Sequence, residues 1–566
     1  MALGVLDDNK LAEVPGTSLL DKGRSDELDT RNLNLKTKHG VVLVPQPSDN
    51  VNDPYNWPDI KKNIAIWALA LTSGVAVSLG PIISPGLLVA SKRYHVSLDQ
   101  VSTFLIGVLI LSIGSGTFFT AAAATIWGKR PDDVANFVEL ISYYFKSFES
   151  LWIMRIVQGI SAAPLETLVT STVSDIFFVH ERGQKLAIWG IAITSGVILS
   201  QVVSGYIIQN LGLLTPFGIT ALVLCLLLPA IFFLVPETAD VLHKSGQTNE
   251  KLTTAHGGKN APKRTYSEEL KIFNGRISDK SFWALAAKPL PLITFPAVIF
   301  STFIHGSFLT WLVVFAILST NVFTGPQYGL TPSQIGLTNL PLLGVCLLGT
   351  PLSGAIADWL VCLMARRNNG IYEPEFRLLL MIPATIFSTA GFIGYGLSID
   401  RGAAVAVPVT FMALHSLSIP FATSASFTYV IDCHPKDANQ AFVTINFAKA
   451  VFIFIASMFV NGWYSARGPR VVFTWITGLN LAFSMMTIPM YVYGKRFRSI
   501  PTQLLSTVLA KILPSSIWGF FFADFDSSHA TPRLRGVPLS TNFEVNTYIS
   551  TITTSSRTDV RKIGCE

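Results

Sequence analysis

A chain of 566 residues that is 50% hydrophobic and only 14% charged, with mean hydropathy +0.47, is too apolar for a string of soluble domains, which carry about 25% charged residues. Apolar segments of ~20 residues recur almost throughout, so it reads as an integral membrane protein folded as one helical bundle. The net charge of +7 belongs to cytoplasmic loops rather than a nucleic-acid surface, and five scattered cysteines offer neither a disulfide framework nor a metal spacing.

Residues 1–60 are polar and lack a signal-peptide pattern, so the first membrane helix is expected to serve as insertion signal, with the N-terminal tail in the cytosol. Tyr55 and Trp57 precede that helix as interface anchors. Spans are predicted at 64–90, 100–123, 152–177, 186–209 and 212–235, then at 289–319, 334–362, 378–399, 403–431, 440–464 and 470–493. In the first, Pro81 and Pro85 of "GPIISPG" free backbone groups and kink the helix, either exposing carbonyls to a substrate or serving structure alone. The polar interruption from Pro236 to Lys280 is rich in Lys and Arg and reads as a cytoplasmic linker. The chain therefore divides into a cytoplasmic tail (1–60), an N-terminal bundle (61–235), a linker (236–285), a C-terminal bundle (286–495) and a second tail (496–566). Within that second tail "SSIWGFFFADF" is too short to span.

Loop charge sets the topology. "GKRP" (128–131), "HERGQK" (180–185), the linker, "ARRNNGIYEPEFR" (365–377) and "GKRFR" (494–498) are basic, whereas loops near 210, 325 and 401 are not; "SKRYH" (91–95) and "ARGPR" (466–470) are exceptions. Two basic loops on one side require an even number of crossings between them, so a twelfth span is expected at 133–151. That stretch carries Asp133, Glu139, Lys146 and Glu149. Its least charged part, Val134 to Phe148, reaches about 22 Å against a hydrocarbon core of ~30 Å. It reads as a short, charged third helix held by its neighbours, or as a translation that has lost an apolar stretch.

Six spans, a basic linker and six spans is the layout of a transporter built from two repeated bundles. The local sequence resembles the major facilitator superfamily, in particular its fungal drug:proton antiporter-like branch, which also contains importers of polyamines and cations. The resemblance is carried by "VLVPQPSDNVNDPYNWP", "GKRP", "RIVQGISAAPLETLV…SDIFFVHERG", "PET", "ARRNNGIYEPEFRL", "FVTINFAK" and "IPMYVYGKR", from about residue 41 to 498. It implies an all-α membrane protein with the 12-helix major facilitator fold as two six-helix bundles. There are three departures. Thr125 replaces an acidic residue, the third helix is shortened and charged, and "SGVILSQVVSGY" (195–206) replaces the antiporter pattern of the fifth helix.

Arg155 and Glu166 lie eleven residues apart on the fourth span. Eleven steps of ~100° return to nearly the same face, about 16 Å along the axis, so both are expected in one cavity with Glu166 near mid-membrane. An intramembrane carboxyl is a proton or cation site by default. The resemblance adds that Glu166 matches the acidic position of the family's "APxE" segment, and Arg155 its Arg-x-x-Gln-Gly motif, associated with proton coupling. Lys449, beside Asn446 in the eleventh helix, would pair with a carboxylate or meet an anionic substrate. His305 and Trp311 in the seventh helix and His415 in the tenth are further candidates. For an inner gate, Lys129, Arg130, Asp175 and Arg182 are expected to cluster in the first half, mirrored by Asp358, Arg366, Arg367 and Asp432 in the second. Positive-inside anchoring is the alternative for these clusters.

No nucleotide loop, nucleophile–base set or metal spacing stands out, so no enzyme, cofactor or nucleic-acid partner is expected. The leading expectation is a monomeric, proton-coupled secondary transporter of a small organic molecule in the plasma membrane, both termini cytoplasmic. It works by alternating access and leans to export. Uptake of a polyamine or organic cation is the close alternative, and a non-transporting receptor the reading from another class.

Overall fold

The computed structural model describes residues 52–129, 147–236, 275–278, 280–434 and 437–498, with short pieces at 3–6, 16–19, 37–38, 41–42 and 47 and at 238, 265 and 270–271. The expectations for Arg130, for 133–146, for most of the linker and for the tail beyond 498 lie outside these residues.

The described chain is almost wholly helical, as a membrane demands, because helices satisfy their own backbone polar groups. In the first half run α1 (Asp59–Ser78), α2 (Val108–Trp127), α3 (Phe148–Ile176), α4 (Val179–Leu211) and α5 (Thr215–Leu234). In the second run α6 (Pro296–Thr324), α7 (Leu340–Arg367), α8 (Met381–Asp400), α9 (Ala406–Cys433), α10 (Ala438–Met485) and α11 (Thr487–Arg498). Helix α10 is two segments joined at Gly468, whose φ of 74° breaks the helix just before Pro469. All eleven spans expected from the sequence fall on these helices. Nine helical stretches among the described residues are long and apolar enough to cross a membrane. Helix α3 is not one of them, because Arg155, Gln158 and Glu166 dilute its apolar character.

Lipid offers no hydrophobic drive for helix pairing, so packing and small residues carry it. Where α1 crosses α4, a Cβ on Gly196 would fall within 3.0 Å of the Gly74 backbone, and one on Gly74 would lie 2.7 Å from the Ala192 carbonyl. The unusual "SGVILSQVVSGY" segment thus serves close packing. Its Gly205 lies against Pro332 of the second half, as Gly336 lies against Gln201 of α4. Gly107 and Gly114 of the second span similarly admit Ser457 and Ala450 of α10.

Residues Pro81–Gly86 form a 3₁₀ turn beyond α1. The Leu79 carbonyl accepts from Arg155 Nη1 at 2.8 Å, and the Ser84 carbonyl accepts from Thr320 Oγ1 of α6. The Ser84 carbonyl also accepts from the Leu87 amide, so both carbonyls are met by protein donors. The N-terminal region departs from a simple tail. Ser18–Leu19 pairs antiparallel with Ile371–Tyr372, Val5 is buried beside Phe376 and Tyr372, and Thr17 Oγ1 donates to Glu373 Oε2 at 2.7 Å.

Gly196→Val tests the closest crossing. Overpacking of this kind costs about 1–3 kcal/mol, so the melting temperature in detergent should fall clearly. Gly190→Ala on the same helix, with nothing within 4 Å of the added carbon, should leave it unchanged. Equal melts for both variants would contradict the close crossing.

Candidate functional site

Helix α3 starts where Ser147 Oγ accepts from the Ser150 amide at 3.2 Å, and it then carries three polar side chains into the bundle at different depths. Arg155 is 1% exposed. Its Nη1 donates to the Leu79 carbonyl at 2.8 Å and to Gln158 Oε1 at 3.3 Å, and its guanidinium sits 4.5 Å from the Phe217 ring centre. Arg155 and Glu166 share a helix face, but the ~16 Å between them sets Arg155 against the break after α1, inside the first half, and Glu166 against Lys449 of the second half.

Glu166 Oε1 accepts from Lys449 Nζ of α10 in a salt bridge whose side chains are 15% and 11% exposed. Glu166 is ten residues from the end of α3 and Lys449 eleven from the start of α10, which puts both about 15 Å in from the basic end. Two glycines let α10 come this close. Gly114 of α2 lies over the Asn446 carbonyl, and Gly306 of α6 lies over Lys449 Cα and the Phe452 ring. A carboxylate and an ammonium in such a place each cost several kcal/mol to dehydrate, so each depends on the other.

Around this pair the other candidates separate. His305 on α6 is 6% exposed; its Nδ1 lies 3.4 Å from Thr423 Oγ1 and its ring centre 4.3 Å from that of Phe427. Its neighbour Gly306 packs over Lys449 Cα. Asn446 is half-buried, one turn before Lys449. Trp311 and His415 belong elsewhere. Trp311 packs edge-on to Phe392 at 6.3 Å, and His415 is wholly buried among Phe308, Phe315 and Phe392. Neither joins the ion pair.

At the basic end the first-half cluster forms. Lys129 Nζ donates to Asp175 Oδ2 at 2.5 Å and to Ser171 Oγ at 2.7 Å, and Thr238 donates to the same carboxylate at 2.9 Å. Arg182 reaches the Ser174 and Phe177 carbonyls at 2.8 and 3.0 Å. Tyr55, expected at the lipid interface, instead donates to the Ser174 carbonyl at 2.8 Å and stacks on Phe178. Burial raises its phenol pKa, offset in part by Arg182.

The second-half cluster differs from the expectation. Asp432 pairs with Arg377 Nε at 2.9 Å and accepts from Tyr372 at 2.6 Å, whereas Asp358, Arg366 and Arg367 are exposed. The arginine doublet points outward at the end of α7, while the chain turns back and delivers Arg377 inward. Burial and the Asp432 charge hold the Tyr372 phenol well above its usual pKa, so it stays a donor. Beside it Arg498 binds Glu373 and Glu375 at 2.8 Å each, and Lys495 reaches Glu373 at 2.6 Å. The signal for these partners was present in "YEPEFR" and "GKRFR", legible as loop charge and as part of the family resemblance but not as ion-pair partners. Nothing in the sequence marked Thr423 or Phe427.

Among the described residues no group of His, Cys, Asp and Glu is arranged to hold a metal ion. The sequence profile of the Major Facilitator Superfamily matches residues 66–457. Protein HOL1 of Saccharomyces cerevisiae is 25% identical over 82% of this chain and 91% of its own length. Efflux pump radE of Floropilus chiversii is 21% identical over 87% of this chain and 91% of its own. Among solved structures, the xylose transporter XylE from E. coli, in a partially occluded inward open conformation, matches with a TM-score of 0.52 and 15% identity, over 78% of this chain and 98% of that one.

Removing one partner of a buried ion pair costs about 3–5 kcal/mol, because the other charge is left uncompensated. Lys449→Met alone should therefore lower the melting temperature more than Glu166→Gln and Lys449→Met together. A double variant as damaged as the sum of the two single variants would show that the residues do not depend on each other.

Proposed function

This chain belongs to the Major Facilitator Superfamily, and from that premise we propose that it is a proton-coupled secondary transporter in which Glu166 is the exchangeable carboxylate. The observation that carries the reading is the Glu166–Lys449 pair, because it joins the two halves at mid-membrane. A carboxylate there is charged only while a cation faces it. Lys449 fills that role in this state. When the halves part, Glu166 loses its partner and takes either a proton or a cationic group of the substrate. His305, with Thr423 and Phe427 behind it, lines the approach on the Lys449 side.

The cargo is a small organic molecule bearing a positive charge, and the protein works as a monomer in the plasma membrane with both termini in the cytosol. Export is the direction we favour, supported by relatives named as efflux pumps. Uptake of a polyamine or organic cation is the second reading, and the acid at the site suits a cationic cargo in either direction. Chemistry on the cargo is not involved: the family and its relatives are transporters, not enzymes.

The test is accumulation of labelled spermidine and tetraphenylphosphonium in proteoliposomes under an imposed proton gradient. The unmodified chain should concentrate at least one of them. Glu166→Gln, folded and present at the same level, should lose gradient-driven accumulation by about 10-fold or more, since an amide exchanges no proton. Undiminished accumulation in that variant would remove Glu166 from the mechanism.

A further inference from the structure

The short helix Leu98–Ser102 leads into a π-helical turn, Thr103–Gly107, ahead of α2. It is fixed by a capping box, with the Gln100 amide donating to Ser97 Oγ at 3.2 Å and the Ser97 amide to Gln100 Oε1 at 3.0 Å. This aims Asp99 across the seam between the halves. Asp99 Oδ1 accepts from the Asn461 amide and Oδ2 from the Gly462 amide, both at 2.8 Å. These amides lie inside α10, where an amide ordinarily faces the carbonyl four residues earlier. For Asn461 that carbonyl is Ser457's. It also accepts from Ser102 Oγ at 2.9 Å and Thr103 Oγ1 at 3.1 Å, both from the first half. Asn461 Nδ2 adds a bond to Ser102 Oγ at 3.3 Å.

One half thus supplies an acceptor and two donors to a single turn of a helix in the other. The fit needs glycine at both contact points. A Cβ on Gly462 would lie 2.7 Å from Asp99 Oδ2, and one on Gly107 would fall within 3.0 Å of Ser457 Oγ. π-turns inside helices frequently mark functional positions.

We propose that Asp99 is a gating residue that latches the end of the bundle opposite the basic loops. This rests on the alternating-access reading of the protein, but it concerns conformation and can be tested without a substrate. Asp99 acts by holding backbone of the other half and does not touch cargo.

Val460 is 2% exposed and packs in the apolar cluster of Val101, Leu105 and Ile106, behind the latch. In the full chain reconstituted in membranes, a cysteine at Val460 reports opening through its reaction with an impermeant maleimide, resolved by peptide mass spectrometry. Asp99→Ala should speed that reaction about 10-fold, the scale of losing charge-assisted hydrogen bonds, with Asp99→Asn between it and the unmodified chain. The native Cys433, 3% exposed at the other end, should not change. Gly462→Ala, which crowds the carboxylate while keeping it, should move labelling the same way and serves if Asp99→Ala is poorly produced. An unchanged rate at Val460→Cys would overturn the latch. So would an equal rise at Cys433, since that reports general loosening. Failure of transport in any variant leaves this result standing on its own.

Discussion

A charge inside a membrane must be met by an opposite charge or by backbone carbonyls, and in this protein Glu166 and Lys449 meet that constraint through each other. Each sits on a helix of a different half, about 15 Å in from the basic end. Their salt bridge joins the halves, so bringing the halves together and satisfying the two charges are one event. The other features follow from making that meeting possible. Gly114 and Gly306 thin the two helices flanking α10 so that Lys449 can reach α3. Arg155, sixteen ångströms away by helix rise, serves the first half alone by capping the carbonyl that the Pro81 turn releases.

The two ends of the bundle are held differently. Opposite the basic loops, hydrogen bonds cross between halves, from Asp99, Ser102 and Thr103 to α10 and from Thr320 to the Pro81–Gly86 turn. At the basic end, Lys129–Asp175 lies within the first half, and Arg377–Asp432 and Arg498–Glu375 within the second. Such an arrangement suits a bundle sealed on one side and able to part on the other, the geometry that alternating access requires.

How much of this was legible beforehand depends on the kind of signal. Apolar spans follow from length and composition, so the helices were readable, including the break near Gly468. Glu166 and Lys449 were each conspicuous as charges within apolar runs. Their pairing was not, because they are 283 residues apart and no local pattern joins them. Shared helix face misled for Arg155, since depth along the axis rather than angle decides its neighbours. The doublet Arg366–Arg367 looked like the gate partner by analogy with "GKRP", yet the turn through "NNGIYEPEFR" places Arg377 there instead. Nothing in the sequence marked Asp99. Its distinction is what it reaches in the other half.

The central claim is that Glu166 exchanges its partner for a proton or a cation. Counting protons as a cation binds tests it most directly, by calorimetry of tetraphenylphosphonium binding in buffers of different ionisation enthalpy. The account predicts release of up to about one proton per cation bound at a pH where Glu166 is protonated in the open state, and none from Glu166→Gln. Equal proton release from both proteins would place the exchangeable group elsewhere and contradict the account.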